Sequence, residues 1–302
     1  MSQYPSVTIS YGTGSANARM LDFPRIDVID KFHFEIVRGC QLRCIGCPNS
    51  TLQPAVKRIE PGDFEFLLGR VDVKRVEYLR LFSFGEPLLH RKLAAILDCI
   101  PRQKWSVGRV EISTNAQFAD WSSLEEAFRA GVLTQIAVSC DGDGTPEEYE
   151  RLRPPSRWEK LIEFLERARE LRDRHCPQME LMTRTICEDP EARSRWRALL
   201  EPRGWTPEFR GWLYLPESTQ NMTGHDIAAP RRVCSFQSEN SRLYVDWDGT
   251  VVPCCAHPRA GVLGNLRDQT YNEIMHARAR AKFIRRMRLD RVSMPICNAC
   301  EF

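Results

Sequence analysis

The 302-residue sequence predicts an α/β fold built on a parallel sheet, on three observations. Short runs rich in β-branched and aromatic residues alternate with longer runs of helical periodicity. The alternation repeats, as strand–crossover–strand units require. Apolar residues make up 42% of the chain, enough for a core, yet no run approaches membrane-spanning length.

The elements follow in order. "FHFEIV" (32–37) reads as the first strand and ends just before a loop of cysteines. "VEYLRLFSF" (76–84), "RVEISTN" (109–115), "TQIAVSCD" (134–141) and "MELMTRTI" (179–186) read as further strands, with "FRGWLYLP" (209–216) as a sixth. Helical patterns fill the gaps: "DFEFLLGRV", "HRKLAAILDCI", "SLEEAFRAG" and the long "RWEKLIEFLERARELRDRH". In such folds ligands gather at the carboxyl ends of the strands, and the cysteine loop lies at that end.

Composition narrows the function. A formal charge of +3 leaves no nucleic-acid footprint on the chain as a whole. The opening "MSQYPSVTIS" lacks a basic end followed by an apolar stretch, so a cytoplasmic protein with no membrane partner is expected. In a reducing cytosol twelve cysteines point to metal or catalysis rather than disulfides. They cluster: Cys40, Cys44 and Cys47 at the front; Cys234, Cys254, Cys255, Cys297 and Cys300 in the last quarter. Cys99, Cys140, Cys176 and Cys187 are scattered and read as small buried apolar residues.

"RGCQLRCIGCPNS" (38–50) spaces its cysteines C-x3-C-x2-C. Zinc would need a fourth ligand that no neighbour offers at finger spacing. A [4Fe–4S] cluster held by three thiolates leaves one iron open to a small molecule. This spacing after a strand resembles the radical S-adenosylmethionine (SAM) superfamily, in which SAM occupies that iron. "FSFGEP" (82–87) resembles the family's Gly-Gly-Glu-Pro motif, with Phe84 in place of the first glycine and Gly85 and Glu86 matched. "ISTNA" (112–116) resembles the ribose-binding stretch and offers Ser113 and Asn115; "AVSCDG" (137–142) offers Ser139. Arg184, on the alternating "MELMTRTI", is a candidate for the SAM carboxylate. Gly46 departs from the family, which places an aromatic residue before the last cysteine, so the adenine contact must come from elsewhere.

The C-terminal quarter has its own pattern. "LYVDWDGTVVPCC" (243–255) reads as two short strands around an Asp248-Gly249 turn. With Cys234, Cys297 and Cys300, Cys254 makes four thiolates for a closed auxiliary [4Fe–4S] cluster, which resembles the SPASM/twitch subfamily; the Cys-x2-Cys pair alone would suit zinc as readily. The resemblance implies a partial (β/α)6 TIM-like barrel over residues 31–216, an N-terminal extension over 1–30, and a small C-terminal twitch domain over 217–302. It implies two [4Fe–4S] clusters, S-adenosyl-L-methionine, and an electron donor such as flavodoxin or ferredoxin. The basic run "HARARAKFIRRMRLDR" (276–291) reads as a solvated helix rather than a nucleic-acid patch. His257 reads as a local polar contact rather than a ligand.

One cysteine of the pair 254 and 255 is spare. Neighbours on an extended chain point to opposite sides, so if Cys254 holds iron, Cys255 faces away. Two readings stay open: a packing residue, or a thiol that returns a hydrogen atom to a substrate carbon radical, with Cys187 or Cys140 as substitutes. The second resembles the aminoglycoside epimerases that act on neomycin C. A dehydrogenase that oxidises an amino-cyclitol through the auxiliary cluster is the alternative, with a peptide-modifying SPASM enzyme behind it. A polyamine sugar needs carboxylates near the barrel mouth; Glu35, Glu217, Asp226 and Asp246 are candidates by position.

Overall fold

A computed structural model describes residues 24–226, 234 and 241–301. The first 23 residues of the expected N-terminal extension therefore lie outside the described residues.

Six strands run in chain order across one sheet: β1 (Lys31–Phe34), β2 (Arg75–Arg80), β3 (Ser106–Thr114), β4 (Gln135–Asp141), β5 (Glu180–Ile186) and β6 (Thr206–Arg210). Every neighbouring pair is parallel. The connections carry the helices: the short α1 (Asn49–Leu52), then α2 (Pro61–Gly69), α3 (Leu93–Asp98), α4 (Trp121–Arg129), α5 (Pro146–Leu152), α6 (Trp158–His175) and α7 (Pro190–Leu200). The starts of α5 and α7 are set by Thr145 and Asp189, whose side chains accept the backbone N–H of Glu148 and Ala192, each followed by proline at the first helical position.

The sixth strand lies earlier than the sequence pattern placed it. It pairs with Met182–Ile186 over 206–210 and stops before Gly211, where a Cβ would meet the Glu188 carboxylate at 2.5 Å. No strand or helix is formed from 211 to 226. The apolar pattern at Trp212–Leu215 belongs to a segment that covers the cysteine loop rather than to a strand. Pro207, which has no N–H to give, is tolerated in β6 because, among the described residues, no further strand pairs beyond it in this sheet.

Alternation divides the barrel strands between two environments. Ile112, Ile136, Val138 and Leu181 form one core with Leu124, Phe128, Leu161, Phe164 and Trp196 of the helices. Each such side chain contributes about 1.5–3 kcal/mol on burial. The alternate positions meet one another across the opposite, concave face. The His33 ring lies 5.1 Å from Tyr244 and 5.6 Å, edge-on, from Phe82. Arg80 reaches Glu111 at 3.2 Å, and Arg184 reaches the same carboxylate from β5. That ion pair spans β4 where the register places the small Ala137 between them.

The C-terminal quarter continues the same sheet. Strand β7 (Arg242–Val245) pairs parallel with β1, Tyr244 opposite His33. Strands β8 (Thr250–Val251) and β9 (Gly264–Asn265) add antiparallel. The expected turn is there: Gly249 sits at φ +90°, and a side chain would also meet Leu67 at 2.9 Å. Helices α8 (Tyr271–Met275), with a Thr270–Glu273 capping box, and α9 (Arg278–Leu289) follow. No helix among the described residues is long and apolar enough to cross a membrane.

Candidate active site

Cys40, Cys44 and Cys47 lie in the loop after β1, at the carboxyl end of the sheet. Backbone bonds shape the loop: Cys47 N–H to Cys44 O at 3.0 Å, Arg43 N–H to Pro154 O at 2.7 Å, Ile45 N–H to Leu152 O at 3.1 Å. Gly39 enters it at φ +87°, where Pro54 O would stand 2.8 Å from any Cβ. The loop is thus tied to the end of α5.

Burial pushes the Cys40 and Cys47 thiols up to about 12, and raises Cys44 as well. The Arg153 guanidinium opposes this in all three, as a buried cation paired with Asp141. Its Nε has no hydrogen-bond partner. Three thiols facing a buried cation with a donor to spare fit an anionic iron–sulfur cluster. Among the described residues no three His, Cys, Asp or Glu side chains converge on a single ion. A cubane takes one thiolate per iron and needs no such convergence.

The other matched residues gather around this loop. Gly85 packs so tightly that a Cβ would lie 1.6 Å from Val37 O, so no side chain fits there. Phe84, at the family's first glycine, is accommodated, and its carbonyl accepts the Asn49 amide at 2.6 Å. Glu86 is buried and fully engaged: Oε1 accepts Leu88 N–H at 2.9 Å and Thr114 Oγ1 at 2.7 Å, and Oε2 accepts Asn115 N–H at 2.7 Å. Its carboxyl is pushed up to about 7 by that burial. Asn115 donates from Nδ2 to Cys40 Sγ at 3.3 Å and accepts from Gln41 at 3.1 Å. Ser113 and Ser139 are half-buried on the concave parity of β3 and β4. Arg184 stands level with Ser139 in register and on the concave face, where Glu111 and the Phe82 ring, 5.5 Å away, already engage it.

Two features escaped the sequence reading. Arg153 carried no motif. Trp212 answers the departure at Gly46: a Cβ on Gly46 would lie 2.8 Å from Trp212 Cζ3, so the indole occupies the space an aromatic residue at 46 would fill. The pairing of a glycine with a tryptophan 166 positions away leaves no local signal.

In the second cluster of cysteines, Cys234, Cys254, Cys297 and Cys300 line one pocket, walled by Phe283 and Met287 of α9. Burial raises Cys254, and pushes Cys297 up to about 11. Arg291 donates to the carbonyls of Cys297 and Cys300 at 3.0 Å each. Four thiols around one closed space match the donor set of an auxiliary cluster. Cys255 is not in that wall. Its thiol is raised by burial and sits within hydrogen-bonding reach of Tyr244, in the field of Arg80 and Arg242. These neighbours belong to the concave face.

Cys140 and Cys187 are buried in the main core, and Cys187 Sγ lies 3.7 Å from Asp189 O. His257 is buried, lines the four-thiol pocket and contacts Glu217 at 2.9 Å. Of the candidate substrate carboxylates, Glu217 is taken up by His257 and Arg259, and Asp226 is exposed. Glu35 and Asp246 come together instead. Burial first, then Asp246, pushes Glu35 up to about 8; burial, then Asp248, pushes Asp246 up to about 6.

Comparison with known proteins gives two family matches. Residues 34–181 match the model of the radical SAM superfamily, and residues 234–301 match SPASM, an iron–sulfur cluster-binding domain. No curated protein matches the chain in sequence. Among solved structures, the chain is similar to BtrN in complex with AdoMet and 2-DOIA, at 16% identity and TM-score 0.57, over 92% of this chain and 94% of that one. It is also similar to anSMEcpe with bound AdoMet, at 16% identity and TM-score 0.62, over 86% and 84%. A further match is anSMEcpe with AdoMet and the Cp18Cys peptide, at 15% identity and TM-score 0.60, over 89% and 87%.

Proposed function

Because the chain belongs to the radical SAM superfamily and carries a SPASM iron–sulfur domain, with SAM and two iron–sulfur clusters as its cofactors, we propose that it is an epimerase inverting a carbon centre of an aminoglycoside. The observation that carries this reading is the direction of Cys255. It leaves the four-thiol pocket to its neighbour Cys254 and turns to the concave face of the barrel.

In this reading Cys40, Cys44 and Cys47 hold the first cluster and Cys234, Cys254, Cys297 and Cys300 the auxiliary one. Gly85, Glu86, Ser113, Asn115 and Ser139 line the SAM pocket. Trp212 supplies the aromatic surface for adenine that Gly46 lacks. Arg184 is the candidate for the SAM carboxylate, with Glu111 as its competing anion. Bound there, the cofactor pair would supply the radical chemistry that removes a hydrogen atom from an unactivated carbon. Cys255 then returns a hydrogen atom from its S–H to the opposite face of that carbon, and Tyr244 holds the thiol in place. The Glu35 and Asp246 carboxylates, when ionised, suit an ammonium of an amino sugar.

The alternative is oxidation of an amino-cyclitol, in which the carbon radical loses a proton and an electron and Cys255 has no part. Fold likeness to BtrN and to anSMEcpe does not select between inversion, oxidation and peptide modification. Turnover in deuterium oxide does. Inversion places one solvent deuterium at the inverted carbon, since a thiol exchanges with water and a C–H bond does not. A product two hydrogens lighter than substrate, with no deuterium, would establish oxidation instead.

A further inference from the structure

Helix α9 differs from the other long surface helix in how its charges are arranged. On α6 acids and bases interleave, with ion pairs Arg167–Glu163 at 2.9 Å and Arg169–Asp173 at 3.0 Å, each one turn apart. Such mixed faces are what a solvated helix carries. From Arg278 to Leu289 α9 has no acid at all. Arg278, Lys282, Arg285, Arg286 and Arg288 are exposed. Arg278, Lys282 and Arg286 follow one another at four-residue spacing, an arrangement that costs a few tenths of a kcal/mol per like-charged pair in an isolated helix. A one-sign face that the helix itself disfavours points to an acidic partner.

A second observation concerns apolar surface. Leu289, Val262 and Val292 are 73%, 65% and 61% exposed, the three most exposed large hydrophobic side chains among the described residues. All three lie at this helix: Leu289 ends it, Val292 follows it, and Val262 adjoins Gly261, which packs against Phe283. Exposed apolar side chains beside a basic helix face, here with the exposed Asp290 between Leu289 and Val292, mark a protein-binding surface. The third observation is what lies beneath. The buried side of α9 contributes Phe283 and Met287 to the wall of the four-thiol pocket, and Arg291 just beyond it bonds the carbonyls of two of those cysteines.

We propose that the outer face of α9, with Val262 and Val292, is the docking surface for an acidic one-electron carrier protein serving the auxiliary iron–sulfur site beneath it. In the forward sense one electron leaves the reduced carrier, which is oxidised by one, and the auxiliary site is reduced by one, with no proton moved. Inversion leaves a thiyl radical after each hydrogen return, and needs this electron together with a proton from solvent to restore the thiol. Oxidation would send an electron out across the same surface, so the inference does not depend on which reaction the barrel performs. Nucleic acid is disfavoured because the basic run is confined to one helix of a chain whose net charge is only +3.

The test uses the reconstituted two-cluster protein and reduced flavodoxin as the probe. Direct binding is followed by cross-linking and by shift changes on isotopically labelled flavodoxin; cluster reduction is followed by stopped-flow bleaching. The wild-type rate should fall steeply with ionic strength, as steered association does. Lys282→Glu with Arg285→Glu should cut the second-order rate roughly 10-fold or more. Reduction by the small cationic methyl viologen radical should not slow, which also shows the clusters intact. Lys282→Gln with Arg285→Gln should fall between, and keeps the test open if the reversed variant misfolds. A flavodoxin rate that is flat with salt in the wild type, or unchanged in both variants, would overturn the proposal. So would an oligonucleotide that binds α9 more tightly than flavodoxin at physiological salt.

Discussion

Cys254 and Cys255 are adjacent in the chain yet face two different sites. Cys254 lines the pocket shared with Cys234, Cys297 and Cys300, while Cys255 lies by Tyr244, within the field of Arg80 and Arg242 on the concave face. The chain leaves β8 at Val251 and bends at Pro253 and again at Cys255, and the two thiols part company. In the proposed reading this one short segment serves both an iron–sulfur site and the barrel interior.

Replacing Cys255 by alanine should keep both clusters and still yield 5′-deoxyadenosine, but give no inverted product. Product analysis by mass spectrometry and NMR checks this. Full inversion by the variant would remove the donor role from Cys255; Cys140 and Cys187, the other thiols considered, are buried in the core.

Metal content separates the two cysteine sets. Anaerobic reconstitution should load about eight irons per chain in two cubanes. Changing Cys40, Cys44 and Cys47 together to alanine should halve the iron and abolish SAM cleavage. Stoichiometric zinc without broad visible absorption would count against the assignment.

Trp212→Ala should open the space beside Gly46 and weaken SAM binding, while Trp212→Phe should largely retain it. The loss expected is about 1–3 kcal/mol, in the range of a base stacked on an aromatic ring. Equilibrium binding of SAM to the loaded protein measures it; unchanged affinity in Trp212→Ala would dismiss the indole as an adenine platform.

Glu111 neutralises two cations on the concave face. Its side chain is fully buried, and Arg80 and Arg184 both reach it. Glu111→Ala leaves two half-buried guanidinium groups without their anion and should cost about 3–5 kcal/mol, read from chemical denaturation. A loss under about 1 kcal/mol would show that water reaches the pair.

The Glu35–Asp246 pair gives a pH dependence of known sign. Glu35 is raised from 4.5 to about 8 in the folded chain, which therefore binds more protons there than the unfolded chain. The stability this contributes is full below about pH 4.5 and is lost as pH rises to about 8. Glu35→Gln should flatten that stretch of the stability curve. Binding of an ammonium-bearing substrate should change in the opposite direction, tightening as pH rises through the same window, because only the ionised carboxylates attract it. A slope identical in wild type and Glu35→Gln would mean that Glu35 does not carry the effect.

Local signals carried far in this sequence, and they failed where contact replaced pattern. Strand–helix alternation, the C-x3-C-x2-C loop, Gly85-Glu86 and the Asp248-Gly249 turn are all set by periodicity or by backbone conformation, which a few neighbouring residues impose. From them the sequence alone determined the parallel sheet and the two cysteine sets, and raised the expectation that Cys254 and Cys255 part. The sixth strand was misplaced because the aromatic residues from 212 onward resemble a strand but serve as a cover, with Trp212 against Gly46. Tertiary structure alone decided that β7 joins β1, bringing Tyr244 to His33. It alone set Glu111 between Arg80 and Arg184, placed Arg153 at the first three thiols, and brought Glu35 and Asp246 together. Each of these depends on residues far apart in the chain meeting in low-dielectric surroundings, where burial and charge act through distance in space and leave no periodic trace along the sequence.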